Sequence, residues 1–143
     1  MKSSYICIIL LAASISAAAV QEKDTAISAD INCDGKTDVA KLEYINKEVK
    51  ITLTEGDSGK SSYLIFGLEH KEGQESFCGK NIELSKFETI PNNSPEFIQG
   101  LGAVPEGHES KKGCFEISLS DGMCDSIHVY WNHKTNKLSY WRL

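Results

Sequence analysis

The C-terminal residues 115–143, FEISLSDGMCDSIHVYWNHKTNKLSYWRL, contain the clearest strand pattern in the chain. Apolar and polar side chains alternate along two segments of this run, as they do along a strand with one buried face. The alternating apolar residues are Phe115, Ile117, Leu119, Ile127, Val129 and Trp131. Asp121-Gly122 lies between the two segments and is typical of a turn. The pattern therefore predicts an antiparallel hairpin.

The length of the turn sets the register of that hairpin. A two-residue turn at Asp121-Gly122 would place the apolar side chains of the two strands on opposite faces, which a half-buried sheet does not tolerate. A three-residue turn that extends to Met123 keeps them on one face. The predicted register therefore pairs Ile117 with Ile127.

A second turn, at residues 133–136, precedes the last strand. It predicts that Trp131 pairs with Leu138 and that Val129 pairs with Tyr140. We therefore expect the chain to end in a three-stranded meander.

The segments upstream add strands and little helix. Residues 50–54 alternate in the same way, residues 55–60 have turn composition, and residues 61–68 return as the second strand of another hairpin. Residues 40–48 fit a strand or a short helix about equally. Further predictions are a strand or helical turn at 82–87, one helical turn at 96–101 and a long exposed loop at 100–113. The predicted fold class is mainly β: a small antiparallel sheet domain with room for one short helix.

The N-terminus has the three parts of a secretory signal peptide. Lys2 supplies a positive charge, residues 5–13 are apolar, and residues 16–19 are small. The apolar core is shorter than the ~20 residues that a membrane-spanning helix needs. We therefore expect a signal peptide at residues 1–19, a single β-rich domain at residues 20–143, no membrane anchor, and a periplasmic or extracellular location.

Four cysteines follow the expected cleavage site, and an even number in an exported domain predicts two disulfides. They are Cys33, Cys78, Cys114 and Cys124. In the predicted hairpin Cys114 and Cys124 lie ~20 Å apart, which is too far for a bond. Each is therefore expected to pair with Cys33 or Cys78. If Cys114 and Cys124 bonded to each other, residues 115–123 would form a loop instead of a hairpin.

The charge pattern excludes one class of partner. The formal net charge is −5, and the lysines are scattered, so that Lys111-Lys112 is no more than a pair. Polyanions are bound through clustered positive charge. We therefore expect no nucleic-acid partner and no attachment to an anionic membrane.

Residues 30–38, DINCDGKTD, are the one motif with a defined chemistry. Oxygen-bearing side chains alternate along it, a glycine allows a sharp turn, and a backbone carbonyl follows the glycine. The predicted metal ligands are Asp30, Asn32, Asp34, Asp38 and, through its carbonyl, Lys36. Calcium prefers about six to eight oxygen ligands, so the spacing predicts a structural Ca²⁺ site. The alternative is that these residues cluster only because they favour turns.

The same nine residues resemble the D-x-[DN]-x-D-G-x-x-D loop of FG-GAP (integrin α-chain-like) repeats. The resemblance covers about residues 28–42 and implies a calcium-binding loop between two strands, the second of which begins near Val39. EF-hand and dockerin loops fit less well, because they need an acidic residue where this chain has Lys41. No second repeat follows, so only the loop chemistry carries over.

The predicted register places His128, Tyr130 and Trp141 on the face of the meander opposite Ile127 and Val129. Aromatic side chains are common in interfaces. This face is therefore a candidate binding surface for a protein partner or a glycan. The alternative is that another strand or loop covers it as a second core layer.

No catalytic motif stands out, since the chain has neither a GxSxG elbow nor an HExxH sequence. We therefore expect no catalytic residues and an exported, non-enzymatic binding protein stabilised by Ca²⁺ and disulfides, for example an inhibitor or immunity protein of an envelope enzyme. Two alternatives stay open. One is a small secreted hydrolase that uses His128 with nearby acids, and the other is a calcium-dependent adhesion or structural module.

Overall fold

Eight strands and one π-helical turn form the regular structure of the described residues, which are 25–69, 73 and 75–143 of a computed structural model. The strands are β1 (Ala26–Ala29), β2 (Asp38–Ile45), β3 (Glu48–Thr54), β4 (Ser61–Gly67), β5 (Glu83–Glu88), β6 (Phe115–Ser120), β7 (Ile127–Asn132) and β8 (Lys137–Trp141), and the π-helical turn spans Glu96–Leu101. The predicted signal peptide, residues 1–19, lies outside the described residues. Within them, no helix has the length and apolar character to cross a membrane.

The strands form two antiparallel sheets, which confirms the mainly β fold class. The N-terminal sheet has the order β1-β2-β3-β4 and the C-terminal sheet the order β5-β6-β7-β8. The two sheets pack face to face, with β1 against β5 and β4 against β8. Their inner faces share one hydrophobic core, to which Leu42, Ile51 and Phe66 contribute from one sheet and Ile117 and Val129 from the other.

Alternation with period two explains the N-terminal sheet. In β2, Ala40 and Leu42 are buried while Val39 and Lys41 are exposed, so this segment is a strand rather than the short helix that its sequence also allowed. Both faces of a strand are used in this way because successive side chains point to opposite sides. The predicted hairpin upstream of residue 68 is confirmed as β3 and β4.

The predicted meander is right in its last hairpin and shifted in its first. Trp131 lies opposite Leu138, as predicted. The register between β6 and β7 was wrong by two residues, because Ile117 lies opposite Val129 and not opposite Ile127. A shift of two residues keeps every side chain on its face, so the predicted apolar face is still correct. The sheet also gains a fourth strand, since β5 pairs with β6.

Asp121 explains why the connection between β6 and β7 is longer than three residues. Its carboxylate accepts hydrogen bonds from the backbone N–H groups of Met123 (2.8 Å), Cys124 (2.9 Å) and Gly79 (2.7 Å). Cys124 is also bonded to Cys78. These contacts with a distant part of the chain hold the connection open as a longer loop.

The disulfides are Cys33–Cys114 and Cys78–Cys124, with Cα–Cα distances of 5.3 and 5.9 Å. The prediction that Cys114 and Cys124 each bond upstream is confirmed. Cys33–Cys114 joins the loop between β1 and β2 to the residue that precedes β6, and so links the two sheets covalently. Two disulfides are compatible with an exported protein.

Candidate functional site

The loop at residues 30–38 joins β1 to β2, and its last residue, Asp38, has no exposed surface. One oxygen of the Asp38 carboxylate accepts hydrogen bonds from the backbone N–H groups of Ile31 (2.9 Å) and Asn32 (3.1 Å). The other accepts one from Gly56 (2.9 Å), in the turn between β3 and β4. Asp38 therefore closes the loop and ties it to the neighbouring hairpin.

The remaining predicted calcium ligands form turns within the loop. Asp30 Oδ2 accepts a hydrogen bond from the N–H of Gly35 (2.9 Å). Asn32 Oδ1 accepts one from the N–H of Asp34 (3.1 Å), and Asp34 Oδ1 accepts one from the N–H of Lys36 (2.8 Å). Asp30 Oδ1 is buried and has no hydrogen-bond partner among the described residues. A bound cation would satisfy this oxygen.

The carboxylates of the loop at residues 30–38 are not arranged as a preformed metal site. In the described part of the chain, no group of three or more His, Cys, Asp or Glu side chains is placed to hold a metal ion. Asp30, Asp34 and Asp38 are included in that statement. Calcium binding by the loop therefore stays a prediction.

The face of the C-terminal sheet that carries His128, Tyr130 and Trp141 is covered by the segment between β5 and β6. Tyr130 and Trp141 are buried, and they form a second hydrophobic cluster with Phe97 of the π-helical turn. This arrangement corresponds to the alternative of a second core layer. The prediction of an open binding surface is corrected for Tyr130 and Trp141, because the covering segment removes them from solvent.

Part of the covering segment is the loop at residues 100–113, which the sequence predicted to be exposed. Leu101 packs against the second cluster, and His108 is buried. The hydroxyl of Tyr130 donates a hydrogen bond to the carbonyl of Glu106 (2.8 Å). The loop is therefore anchored on the sheet at several points rather than extended into solvent.

A buried polar network holds the same segment. One oxygen of the Glu116 carboxylate lies 2.8 Å from His108 Nε2 and accepts a hydrogen bond from the backbone N–H of Ile90 (3.2 Å). The other accepts one from the indole N–H of Trp141 (3.2 Å), and His108 Nδ1 lies 2.9 Å from Asn92 Oδ1. The side chains of His108 and Glu116 are only 1% and 0% exposed. Since a substrate cannot reach them, we assign the pair a structural role.

His128 lies at the edge of the covered face. Its ring stacks on that of Trp141 with the centroids 4.1 Å apart, and it meets the Phe87 ring edge-on at 5.3 Å. Burial lowers the pKa of His128, and the nearby charge of Glu116 opposes that shift. Its Nδ1 atom is buried and has no hydrogen-bond partner within the described residues. Among the described residues, no carboxylate therefore accepts a hydrogen bond from this nitrogen and orients the ring, as one does in a catalytic histidine–carboxylate pair.

The outer face of the N-terminal sheet, called the open face below, has no covering segment in the part of the chain that the structure describes. It consists of alternate residues of β2, β3 and β4, namely Val39, Lys41, Glu43, Ile45, Glu48, Lys50, Thr52, Thr54, Ser61, Tyr63 and Ile65. Val39, Ile45, Tyr63 and Ile65 are 46%, 43%, 59% and 44% exposed, respectively. These are large apolar side chains left in contact with solvent.

The charges on the open face balance one another. Lys41 Nζ lies 3.0 Å from Glu43 Oε1, and the hydrogen bond from this lysine lowers the pKa of the Glu43 carboxyl. Lys50 Nζ lies 4.6 Å from the centre of the Tyr63 ring, within reach of a cation–π interaction. The open face is therefore a mixture of apolar and polar side chains, and neither sign of charge predominates on it.

Neither Glu116 nor His108 was predicted from the sequence to belong to a buried network, and the reasons differ. Glu116 lies between Phe115 and Ile117, so the alternation that buries its neighbours already places it on the face of His128 and Tyr130. Its register position was therefore a usable signal. For His108, no pattern in the neighbouring sequence indicates that its side chain contacts the Glu116 carboxylate.

No protein family, no curated protein and no solved structure matches the chain.

Proposed function

We propose that this chain is an exported, non-enzymatic protein that binds another protein through the open face, of the kind that inhibits an envelope enzyme or confers immunity to it. The observation that carries the proposal is the difference between the two sheets. On the C-terminal sheet, Tyr130 and Trp141 are 4% and 5% exposed. On the open face, Val39 and Tyr63 are 46% and 59% exposed. Large apolar side chains that share one uncovered face favour an interaction surface.

The composition of the open face favours a protein partner over a charged ligand. Lys41 and Lys50 are balanced by Glu43 and Glu48, so the face does not attract one sign of charge. Tyrosine and aliphatic side chains surrounded by polar groups resemble the make-up of protein interfaces. The expected partner surface is flat, with an apolar centre and a polar rim.

The environment of the ionisable groups supports the non-enzymatic part of the proposal. His108 and Glu116 are enclosed and serve the second core layer. His128 is partly covered, and burial disfavours its charged form. Turnover of a substrate by the purified protein, lost in the His128→Ala variant without loss of stability, would contradict this part.

The proposal includes a calcium ion that stabilises the loop at residues 30–38. Two observations support it: Asp30 Oδ1 is buried without a hydrogen-bond partner in the described part of the chain, and oxygen-bearing side chains alternate along the loop. An ion that binds only the folded chain raises the melting temperature. We expect Ca²⁺ to raise the melting temperature of the wild type relative to a chelator, and to leave that of Asp34→Ala almost unchanged. A wild type without a shift would contradict calcium binding.

A charge placed in the open face tests the interaction. Val39→Lys introduces it there, and Ile98→Lys is the matched control, because Ile98 is 55% exposed on the π-helical turn. From an envelope extract, we expect the immobilised wild type and Ile98→Lys to retain the same protein, and Val39→Lys to retain at least about tenfold less.

Two further measurements make the capture specific. The retained protein should slow amide hydrogen exchange in β2 and β3, and an enzyme among the retained proteins should lose activity when the wild type is added. Equal retention by Val39→Lys and Ile98→Lys would contradict a role of the open face.

A further inference from the structure

Strand β4 forms one edge of the N-terminal sheet, and part of that edge is free. The N–H of Gly67 donates to the carbonyl of Glu75 (2.9 Å), and its carbonyl accepts from Phe77 (2.9 Å), so the backbone groups of Gly67 point away from β3. Every second residue of a strand points its backbone groups the same way. Those of Tyr63 and Ile65 therefore also point away from β3, and no other described strand pairs with them.

The free edge lacks the features that usually protect an edge strand. Charged side chains, prolines and bulges normally prevent pairing with a foreign strand. The sequence of β4, SSYLIFG, contains no charged residue and no proline. The edge strand β5, ELSKFE, has three charged residues in six. The edge strand β8, KLSYW, has one charged residue. The edge strand β1, AISA, is uncharged as well, but Lys86 of β5 donates a hydrogen bond to the carbonyl of Ser28 at its edge. Of the four edge strands, β4 is therefore the one best suited to receive a strand.

A groove lies beside the free edge, between β4 and the start of β8. Its volume is about 510 Å³, and its apolar lining includes Leu64 and Leu138. Ser62 also lines it, and the Ser62 hydroxyl oxygen is buried with no hydrogen-bond partner among the described residues. The groove therefore offers both an apolar floor and an unsatisfied polar group.

The chain itself already uses the other end of this edge. Ser76 forms a parallel bridge with Gly67. The hydroxyl of Tyr140 in β8 donates a hydrogen bond to Glu75 Oε1 (3.1 Å), and Arg142 donates one to the carbonyl of Ser76 (2.6 Å). A short segment thus contacts both β4 and the C-terminal sheet at this end of the edge.

We propose that an extended segment of the protein partner adds to β4 as a fifth strand of the N-terminal sheet, an inference that rests on the proposed function because it describes how that partner is held. The backbone of the segment pairs with Tyr63 and Ile65. Alternate side chains enter the groove above Leu64 and Leu138. Backbone pairing provides affinity and the groove provides selectivity, as in other cases of strand addition.

The rim of the groove defines the chemistry of the segment. Lys60 and Lys137 outnumber Glu55 among the lining residues, and the Glu55 carboxylate already accepts a hydrogen bond from the hydroxyl of Ser58 (2.7 Å). A segment with net negative charge and aliphatic side chains at every second position complements this rim. The uncharged β4 of a second copy lacks the acidic groups, so a second copy is the poorer occupant.

The first test uses a defined probe, an acetylated and amidated heptapeptide of alternating valine and aspartate, titrated into the full protein and followed by NMR. We expect binding to shift the amide signals of Tyr63 and Ile65 and to slow their hydrogen exchange. Two forms of the probe, N-methylated at odd or at even amides, distinguish strand addition from other contacts. Only one set of amides faces β4, so one form should bind at least about tenfold more weakly and the other within about threefold.

The opposite results would overturn the inference. These are no binding of the probe, equal binding of the two N-methylated forms, or equal binding of a probe with lysine in place of aspartate. Tyr63→Pro removes an N–H that points to the free edge, where proline is tolerated, and should weaken the probe at least about tenfold. Ile98→Lys should bind the probe like the wild type.

The capture experiment separates this inference from the proposed function. If Val39→Lys loses the partner and Tyr63→Pro retains it, the open face binds the partner and strand addition is wrong. Tyr63→Ala is the control, because it removes the same side chain from the open face and keeps the N–H. If Val39→Lys and Tyr63→Pro lose the partner and Tyr63→Ala retains it, the two proposals stand together. Equal loss by Tyr63→Pro and Tyr63→Ala would assign the loss to the side chain on the open face and overturn strand addition. If sedimentation shows that the isolated wild type dimerises and Tyr63→Pro does not, a second copy occupies the edge and the inference is overturned.

Discussion

At the scale of single residues, Glu116 supports the second core layer. Its carboxylate has no exposed surface and is within hydrogen-bond distance of His108, Trp141 and the backbone of Ile90. Removal of one partner from a buried polar network leaves the others unpaired. Glu116→Ala should therefore lower the free energy of unfolding by about 3–5 kcal/mol in urea denaturation. Glu116→Gln keeps an acceptor oxygen and should lower the free energy of unfolding by less. One ordinary hydrogen bond contributes about 1 kcal/mol, so a loss of less than that in Glu116→Ala would contradict the network.

His128 makes stability depend on pH. Burial lowers its pKa below the ordinary value of 6.5, so the folded chain binds fewer protons than the unfolded chain just below that pH. The contribution of His128 is fully present above pH 6.5 and is lost as the pH falls from 6.5 towards the lowered pKa. We expect the free energy of unfolding, measured by urea denaturation, to fall between about pH 7.5 and about pH 5.5 in both proteins. The fall should be larger in the wild type than in His128→Asn. Equal losses in both proteins would show that His128 does not titrate differently in the folded state.

At the scale of the elements, Gly56 joins the loop at residues 30–38 to the turn after β3. Its N–H donates to Asp38, and a Cβ atom built on it would lie 2.1 Å from the carbonyl oxygen of Thr37. Gly56→Ala should therefore lower the free energy of unfolding by about 1–3 kcal/mol, because the two segments would have to separate. The exposed neighbour Asp57 is the control, and Asp57→Ala should change stability by less than about 0.5 kcal/mol. The same small effect for Gly56→Ala would contradict the close approach.

At the scale of the whole molecule, the disulfides connect parts of the chain that lie far apart in sequence. Cys33–Cys114 spans 81 positions and Cys78–Cys124 spans 46. The entropy that a cross-link removes from the unfolded chain grows only with the logarithm of the span. Replacement of either pair by alanines should cost about 4 kcal/mol, with the first pair costing about 0.5 kcal/mol more. Chemical denaturation of the two double variants measures both losses of free energy of unfolding. A much smaller loss for the Cys33–Cys114 pair than for the Cys78–Cys124 pair would contradict a stabilising covalent link between the two sheets.

The features that depend on neighbours in the chain were predictable before the structure was known. Alternation of apolar and polar side chains predicted β3, β6 and β7, and turn composition predicted that β4 and β8 follow as returning strands, with Val129 opposite Tyr140. The same alternation placed Cys114 and Cys124 far apart, and this correctly sent both disulfides upstream. Strand period and turn composition are local properties, so a single chain read from end to end contains them.

Which segments cover each sheet depends on contacts between residues far apart in the chain. Asp121 lengthened the loop before β7 through its contact with Gly79, and the segment after β5 folded over Tyr130 and Trp141. The first face that the sequence proposed for binding became a core layer in this way, while the opposite sheet kept an open face and a free edge at β4. Contacts between residues distant in sequence depend on how whole sheets stack, and no local period encodes that packing.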